Sequence, residues 1–178
     1  MSVVSPARFN LPLIALHWLT LVLIAGAYLT SELEEAFEDT STESLIADWH
    51  TLLGLTVLGL AALRIAIRAV SRTPAIYPAP PRWQARTAML VHLALYGLMI
   101  ALPLTGWLML SAEGQSLTWF GHTLPALIDP SRRLAHTLED VHEVIADAGY
   151  FLIGLHAAAA LFHHYVVRDN TMRLMVPD

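Results

Sequence analysis

The fold of this chain follows from the sequence VHEVIADAGYFLIGLHAAAALFHHYVV, residues 141–167. It is apolar over most of its length and exceeds the roughly 20 helical residues needed to cross about 30 Å of hydrocarbon. It nevertheless carries four histidines, at positions 142, 156, 163 and 164. Because polar side chains inside a bilayer are costly and are retained mainly where they have a partner or a task, the segment predicts a transmembrane helix that contributes to a functional centre.

Three more segments resemble this one in length and composition, and 56% of the 178 residues are hydrophobic. The connection between the second and third spans contains four prolines between residues 74 and 81, which cannot continue a helix. Consecutive spans are therefore antiparallel neighbours, and the sequence predicts an all-α, up-down four-helix integral membrane bundle that forms one domain over residues 1–178. The spans are predicted near Leu11–Ser31, Trp49–Val70, Ala88–Ser111 and Val141–Val167.

Arginine determines the predicted orientation of the bundle, since lysine is absent. Only Arg132 and Arg133 lie in the first or third connection, while the other eight of the ten arginines lie near the termini or the second connection. Positive residues are retained on the cytoplasmic side, so both termini are predicted to be cytoplasmic. The net charge of -5 and the lack of a basic face exclude a nucleic-acid-binding protein. The eight arginines are Arg8, Arg64, Arg68, Arg72, Arg82, Arg86, Arg168 and Arg173.

The chain has no cysteine but nine histidines. The lack of cysteine excludes disulfides, thiolate-bound zinc, iron–sulfur clusters and covalently attached haem. Histidine is then the only strong nitrogen or sulfur ligand present in quantity. The positions of the histidines therefore indicate where a metal or a haem would bind.

The histidines within the spans fall at two depths. His17 lies six residues inside the first span from its cytoplasmic end, whereas His50 and His142 lie at the outer ends of the second and fourth spans. His156 follows His142 by 14 residues, which is about 21 Å along a helix and returns to within about 40° of the same face. The sequence therefore predicts an inner pair, His17 with His156, and an outer pair, His50 with His142, each holding one haem between facing helices. Spacing alone also allows His163 as the inner ligand.

Two glycines and three other histidines need a separate interpretation. Gly54 and Gly149 lie near the predicted ligands, where a missing side chain lets a macrocycle or a neighbouring helix come close. His92 on the third span is interpreted as a group that hydrogen-bonds across helices. His122 and His136, in the third connection, are interpreted as solvated side chains.

The segments that carry the histidines resemble those of the bacterial di-haem cytochrome b561 family, and most of all its superoxide oxidase type. The likeness covers nearly the whole chain and is most specific from residue 149 onward. The matching segments are Ile14-Ala15-Leu16-His17-Trp18, Trp49-His50, Ile100-Ala101-Leu102-Pro103, His142-Glu143, Gly149 to Ala160, His163-His164-Tyr165 and Asp169-Asn170-Thr171.

This resemblance implies a multi-pass b-type cytochrome of the bacterial inner membrane with two haem b groups. The ligands it implies are His17 with His156 and His50 with His142, so it favours His156 over His163. It further implies a superoxide:ubiquinone oxidoreductase. Such an enzyme takes electrons from periplasmic superoxide, releases dioxygen and passes the electrons through the two haems to ubiquinone.

The third connection, residues 112–140, lies on the predicted outer side. It is long enough for a short surface helix, with Trp119 and Phe120 as anchors at the membrane interface. Since superoxide is an anion and the first connection is acidic, Arg132 and Arg133 are predicted to form a local positive entry near the outer haem. Solvated loop charges or contacts to lipid headgroups explain these two arginines equally well.

Reduction of a quinone consumes protons, and histidine relays protons near neutral pH. His163 or His164 is the candidate for this role at the predicted inner end. The arginines at this end are equally well explained by pairing with haem propionates. The other polar groups at this end are His92, Tyr165, Arg8 and Arg86.

Two alternative functions fit the same residues. The protein could be a cytochrome subunit that passes electrons between quinone and a separate redox partner, a dehydrogenase or a hydrogenase, although its short outer loops offer little docking surface. The intramembrane histidines could instead bind zinc or copper in a small metal transporter or sensor. An absorption spectrum with haem bands on reduction separates the second alternative from the other functions.

Overall fold

The computed structural model of the protein describes residues 8–37 and 41–176. Four long helices contain most of these residues, and each is long and apolar enough to cross a membrane. The predicted all-α membrane fold with four helices is therefore confirmed. The helices are α1 (Leu11–Ala36), α2 (Glu43–Val70), α3 (Arg82–Glu113) and α4 (Arg132–Phe162).

The helices extend beyond the apolar spans from which they were predicted. Helix α2 begins at Glu43 and α4 at Arg132, so His50 and His142 lie seven and ten residues inside their helices rather than at the starts. The added turns are polar but contain good helix formers, and the end of the apolar pattern does not end the hydrogen-bonded backbone. Both histidines are consequently held on rigid helix rather than at fraying ends.

Close backbone packing joins α1 to α2, α2 to α3 and α3 to α4. The core between these helices is small and is built around Val57, Ala61 and Met99, with Leu23 and Ile24 packed against it. Many large apolar side chains point outward instead, as a lipid-facing surface requires. Contacts between α4 and the first two helices depend on side chains, and this is where the paired histidines lie.

The connection between α3 and α4 forms one end of the bundle, called here the hairpin end. Two short antiparallel strands, β1 (Thr118–Trp119) and β2 (His122–Thr123), replace the predicted surface helix, which the described connection does not contain. The left-handed backbone of Gly114 (φ 77°) ends α3 and turns the chain toward this hairpin. The Trp119 indole donates a hydrogen bond to the Thr56 hydroxyl (3.3 Å), so this predicted anchor fastens the hairpin to α2.

The C-terminal segment covers the opposite end, called here the terminal end. Helix α4 continues into a π-helical turn, His163–Val167, and a 3-10 helix follows at Met172–Met175. The Trp18 indole donates to the Met175 carbonyl (2.7 Å), which ties the segment to α1. The Asn170 side chain accepts from the Tyr77 amide (2.7 Å) and donates to a second backbone group in the same connection. The segment therefore closes the terminal end over α1 and the second connection.

Candidate functional site

The predicted pair nearer the terminal end bridges α1 and α4. The rings of His17 and His156 have centroids 6.3 Å apart and an interplanar angle of 76°. The helices that carry them are not among those joined by close backbone packing. The two imidazoles therefore lie side by side at a seam where the backbones of α1 and α4 are not closely packed.

The predicted pair nearer the hairpin end bridges α2 and α4 in the same way. The His50 and His142 rings have centroids 6.2 Å apart and an interplanar angle of 64°. Helices α2 and α4 also lack the close backbone packing of the chain neighbours. The structure thus brings together both of the pairs that were predicted from depth along the helices.

Both separations fit two imidazoles on opposite faces of one metal ion. A metal–imidazole bond is about 2 Å long and the ring centroid lies about 1 Å beyond the nitrogen, which places the two centroids about 6 Å apart. Among residues 8–37 and 41–176 no group of three or more histidine or acidic side chains is arranged to hold a metal ion. Two protein nitrogens suit iron whose remaining ligands come from a macrocycle, and they are too few for a tetrahedral zinc site.

Hydrogen bonds orient the His50 ring. Its Nδ1 donates to the Ala27 carbonyl oxygen on α1 (2.9 Å), and the Thr30 hydroxyl lies 3.4 Å away. A carbonyl only accepts, so Nδ1 carries the proton and Nε2 keeps a free lone pair. This is the arrangement that fixes a metal-binding imidazole and raises its basicity.

His142 is oriented by a threonine in the equivalent way. Its Nδ1 lies 3.0 Å from the Thr105 hydroxyl oxygen on α3. That hydroxyl uses its single hydrogen on the carbonyls of Ala101 and Leu102, both 2.9 Å away, so its oxygen accepts from Nδ1. The Nε2 atom of His142 is therefore also free to act as a ligand.

A cavity of about 350 Å³ opens beside the His50/His142 pair. Gly54 and Gly106 line it, and a Cβ atom at Gly54 would meet nothing within 4 Å, so this glycine leaves room as predicted. Three carboxylates also line the cavity, which makes it acidic. They are Glu34, Glu139 and Glu143.

Gly149 leaves room for a neighbouring helix rather than for a macrocycle. A Cβ atom there would overlap the Tyr28 hydroxyl and would lie 2.9 Å from Leu98 Cδ1. The Tyr28 hydroxyl donates to the Ala146 carbonyl (2.8 Å), and the Tyr28 ring packs 4.3 Å from that of Tyr150. Gly149 therefore allows α1 and α3 to approach α4 between the two histidine pairs.

His92 is a third histidine near the His17/His156 pair. Its ring centroid lies 5.4 Å from that of His156, closer than the His17 ring. Its position on α3 was noted in the sequence, but its approach to His156 was not predicted.

His163 is engaged outside the pairs. Its Nδ1 donates to the Asp169 carboxylate (2.5 Å), which also accepts from the Thr171 amide (2.8 Å). Burial alone would raise the pKa of Asp169, but the hydrogen bonds from His163 and Thr171 lower it below its ordinary value. The ionised carboxylate fixes the ring with Nε2 free, whereas His164 packs on the Tyr165 ring at 4.7 Å.

Arg132 and Arg133 are exposed on the first turn of α4 and do not line the cavity. His142 lies ten residues, about 15 Å, further along the helix than Arg132. His122 is exposed in the hairpin, as predicted, and His136 contacts Glu139 at 3.2 Å on an exposed face.

Comparison with known proteins identifies the family. A sequence model described as "Prokaryotic cytochrome b561" matches residues 8–178. The chain belongs to the prokaryotic cytochrome b561 family. Members of this family bind haem b and transfer electrons in bacterial membranes, so the protein is a multi-pass membrane electron-transfer protein.

Three relatives in this cytochrome b561 family match nearly the full chain. "Cytochrome b561 homolog 1" of Escherichia coli (strain K12) is 38% identical over 171 residues, 96% of this chain and 97% of the relative. "Probable superoxide oxidase CybB" of Yersinia pestis is 38% identical over 164 residues, 92% and 93% of the two chains. "Cytochrome b561 homolog 2" of the same E. coli strain is 25% identical over 179 residues, 97% and 93% of the two chains.

Several groups around the cytochrome b561 histidines were not predicted as site residues. Thr105 and the Ala27 carbonyl orient the rings, but neither has a sequence signal that separates it from other helix residues. Asp169 was noted only as part of a matching segment. Arg64 was counted with the cytoplasmic arginines, although an arginine inside an apolar helix was itself a signal.

Proposed function

We propose that the protein is a superoxide oxidase that transfers electrons from superoxide to ubiquinone through two haem b groups. One haem would be held by His50 and His142 and the other by His17 and His156. The observation that carries the proposal is that two imidazole pairs, each with a ring separation that would suit two histidines sharing one iron, lie toward opposite ends of one bundle. A relative named as a probable superoxide oxidase, 38% identical over 92% of this chain, supports the choice of substrate.

Bound haems would supply reversible one-electron chemistry, and this chain would hold them and tune their potentials. Helix α4 contributes one ligand to each pair, His142 to one and His156 to the other. These two residues are 14 positions apart, so the rigid helix holds them about 21 Å apart along its axis. The hydrogen bonds at His50 and His142 Nδ1 favour one tautomer and raise the basicity of the free nitrogen.

Electrons and protons balance over two turnovers. Two superoxide anions each lose one electron and leave as dioxygen, while one ubiquinone gains two electrons and two protons and becomes ubiquinol. In the proposed orientation both termini are cytoplasmic, as the arginine distribution favours. Superoxide then reacts at the hairpin end and ubiquinone at the terminal end.

Stopped-flow spectroscopy of the purified holoprotein tests this function. We expect superoxide alone to reduce the haems, seen as sharpening absorption bands, and added ubiquinone to reoxidise them. The control is the same mixture with superoxide dismutase, which should abolish the reduction. A protein that contains both haems but is not reduced by superoxide is not a superoxide oxidase, and it would instead fit a subunit that serves a separate redox partner.

Arg132 and Arg133 are proposed to attract superoxide to a surface that is otherwise acidic. Their distance from the cavity limits the effect, because charges are screened over about 8 Å at physiological ionic strength. We expect the double Arg132→Ala, Arg133→Ala variant to lower the rate of haem reduction by superoxide about threefold at low salt, with little change at high salt. The matched control is Arg82→Ala, an exposed first-turn arginine at the terminal end. An unchanged rate at low salt in the double variant would show that these arginines are solvated charges only.

His163 is proposed to relay protons to the quinone. Its Nδ1–H stays bonded to Asp169, and its free Nε2 takes up a proton from the cytoplasmic side and passes it to a quinone oxygen. We expect His163→Ala to slow reoxidation of the haems by ubiquinone by about 100-fold while superoxide still reduces them at the normal rate. His164→Ala removes a neighbouring ring that pairs with no carboxylate of the described residues, and it should leave both rates unchanged. Haem content and thermal stability are measured in parallel, since His163→Ala also removes the partner of a buried carboxylate. If His163→Ala reduces quinone at the normal rate, the donor lies elsewhere.

A further inference from the structure

Arg64 is a cation inside a membrane-spanning helix. It lies six residues before the end of α2 at Val70 and is half-buried. Its guanidinium sits 5.5 Å from the Tyr96 ring centroid, and it makes no ion pair with a carboxylate of the described residues. A charged side chain in an apolar span is costly unless an anion or a polar network compensates it. The cation–π contact is weak compensation for a full charge.

Arg64 lies near the histidines at the terminal end of the bundle. Arg64 interacts electrostatically with His17, His92 and His156. Its depth, about 9 Å from the end of α2, equals that of His17 from the start of α1. Three imidazoles and the Arg64 guanidinium, which pairs with no carboxylate of residues 8–37 and 41–176, therefore lie at about the same level of the bundle.

We propose that Arg64 binds a carboxylate of the haem held by His17 and His156 and that its charge raises the reduction potential of that haem. The inference rests on the proposed ligation. Haem b carries two ionised propionates, and the planar guanidinium fork binds a carboxylate through two hydrogen bonds. A fixed positive charge near the iron stabilises the reduced form, which carries one positive charge fewer. Arg64 is thus a positioning residue that makes electron transfer toward the terminal end more favourable.

Redox titration of the holoprotein, followed by haem absorbance, tests this role. We expect Arg64→Gln to lower the midpoint of one of the two haems by about 59 mV, a tenfold change in its reduction equilibrium, and to leave the other unchanged. Arg64→Lys, which keeps the charge, should keep that midpoint close to its wild-type value. The matched control is Arg68→Gln, one turn nearer the helix end, where the guanidinium donates to the Thr73 hydroxyl (2.6 Å) and lies over the Phe9 ring. Its charge acts on His92 but on neither His17 nor His156, so Arg68→Gln should shift either midpoint far less than Arg64→Gln does.

Three results would overturn the proposal: two unchanged midpoints in Arg64→Gln, equal shifts of both midpoints, or the same shift in Arg64→Lys as in Arg64→Gln. If Arg64→Gln loses one haem, the haem content of Arg64→Lys decides the matter. If Arg64→Lys retains both haems, the proposed role of the positive charge is supported. If it loses one haem, that role is contradicted. Unchanged midpoints with both haems bound reject only the role of Arg64, whereas failure of the ligation itself appears as histidine variants that keep their haems.

Discussion

The variant His156→Ala is expected to retain one haem of two. In the wild-type protein the His156 imidazole lies beside that of His17. His142, which belongs to the other pair, is 14 residues away on the same helix. Loss of an axial ligand frees one macrocycle and leaves the ligands of the second pair in place. Haem content by pyridine haemochrome assay, divided by protein concentration, should fall by about half. Superoxide should still reduce the remaining haem, but transfer to ubiquinone should be lost.

Replacing His156 tests the proposed ligation more directly than replacing His17 does. The His92 ring lies 5.4 Å from His156, so His92 could replace His17 as the second ligand and hide its loss. His142→Ala should remove the other haem, and the exposed His122→Ala in the hairpin should remove neither. An intact complement of two haems in both His156→Ala and His142→Ala would refute the proposed ligation. A colourless wild-type protein would refute haem binding altogether.

Gly149→Ala is expected to destabilise the bundle by about 2 kcal/mol, because overpacking of a close contact costs about 1–3 kcal/mol. The new methyl group would occupy the place of the Tyr28 hydroxyl and press on Leu98. Tyr28 would then lose its hydrogen bond to the Ala146 carbonyl and its packing on Tyr150. The midpoint of thermal unfolding in detergent, followed by haem absorbance, should fall by roughly 4–8 °C.

Gly154→Ala is the matched control on the same helix. Gly154 is exposed, and a Cβ atom there would meet nothing within 4 Å. Replacing a helical glycine by alanine at an open position removes backbone freedom from the unfolded chain and stabilises a helix by about 0.5–1 kcal/mol. The two variants should therefore shift the midpoint in opposite directions. Equal or raised midpoints for both would mean that Gly149 is not a close-packing position.

The prediction of helix ends from hydropathy was less accurate than the prediction of the helices themselves. The apolar pattern ends near Trp49 and Val141, but the helical backbone begins at Glu43 and Arg132. Hydropathy reports which residues tolerate lipid, whereas helix bounds depend on backbone hydrogen bonds that polar residues maintain equally well. Hydropathy and length were also insufficient to predict the structure of the third connection. Its length allowed a short helix, but the chain forms a β-hairpin there.

The sequence by itself determined how many long helices the chain has, which family it belongs to and how far apart His142 and His156 lie along one helix. Such a separation is a property of one helix, because a fixed rise per residue converts residue number into distance along the axis. How helices rotate and approach each other depends on side chains from several of them at once, and only the tertiary structure decided that. Such packing decides four features: the approach of His92 to His156, the orientation of His142 by Thr105, the Gly149–Tyr28 contact and the position of Arg64 near the histidines.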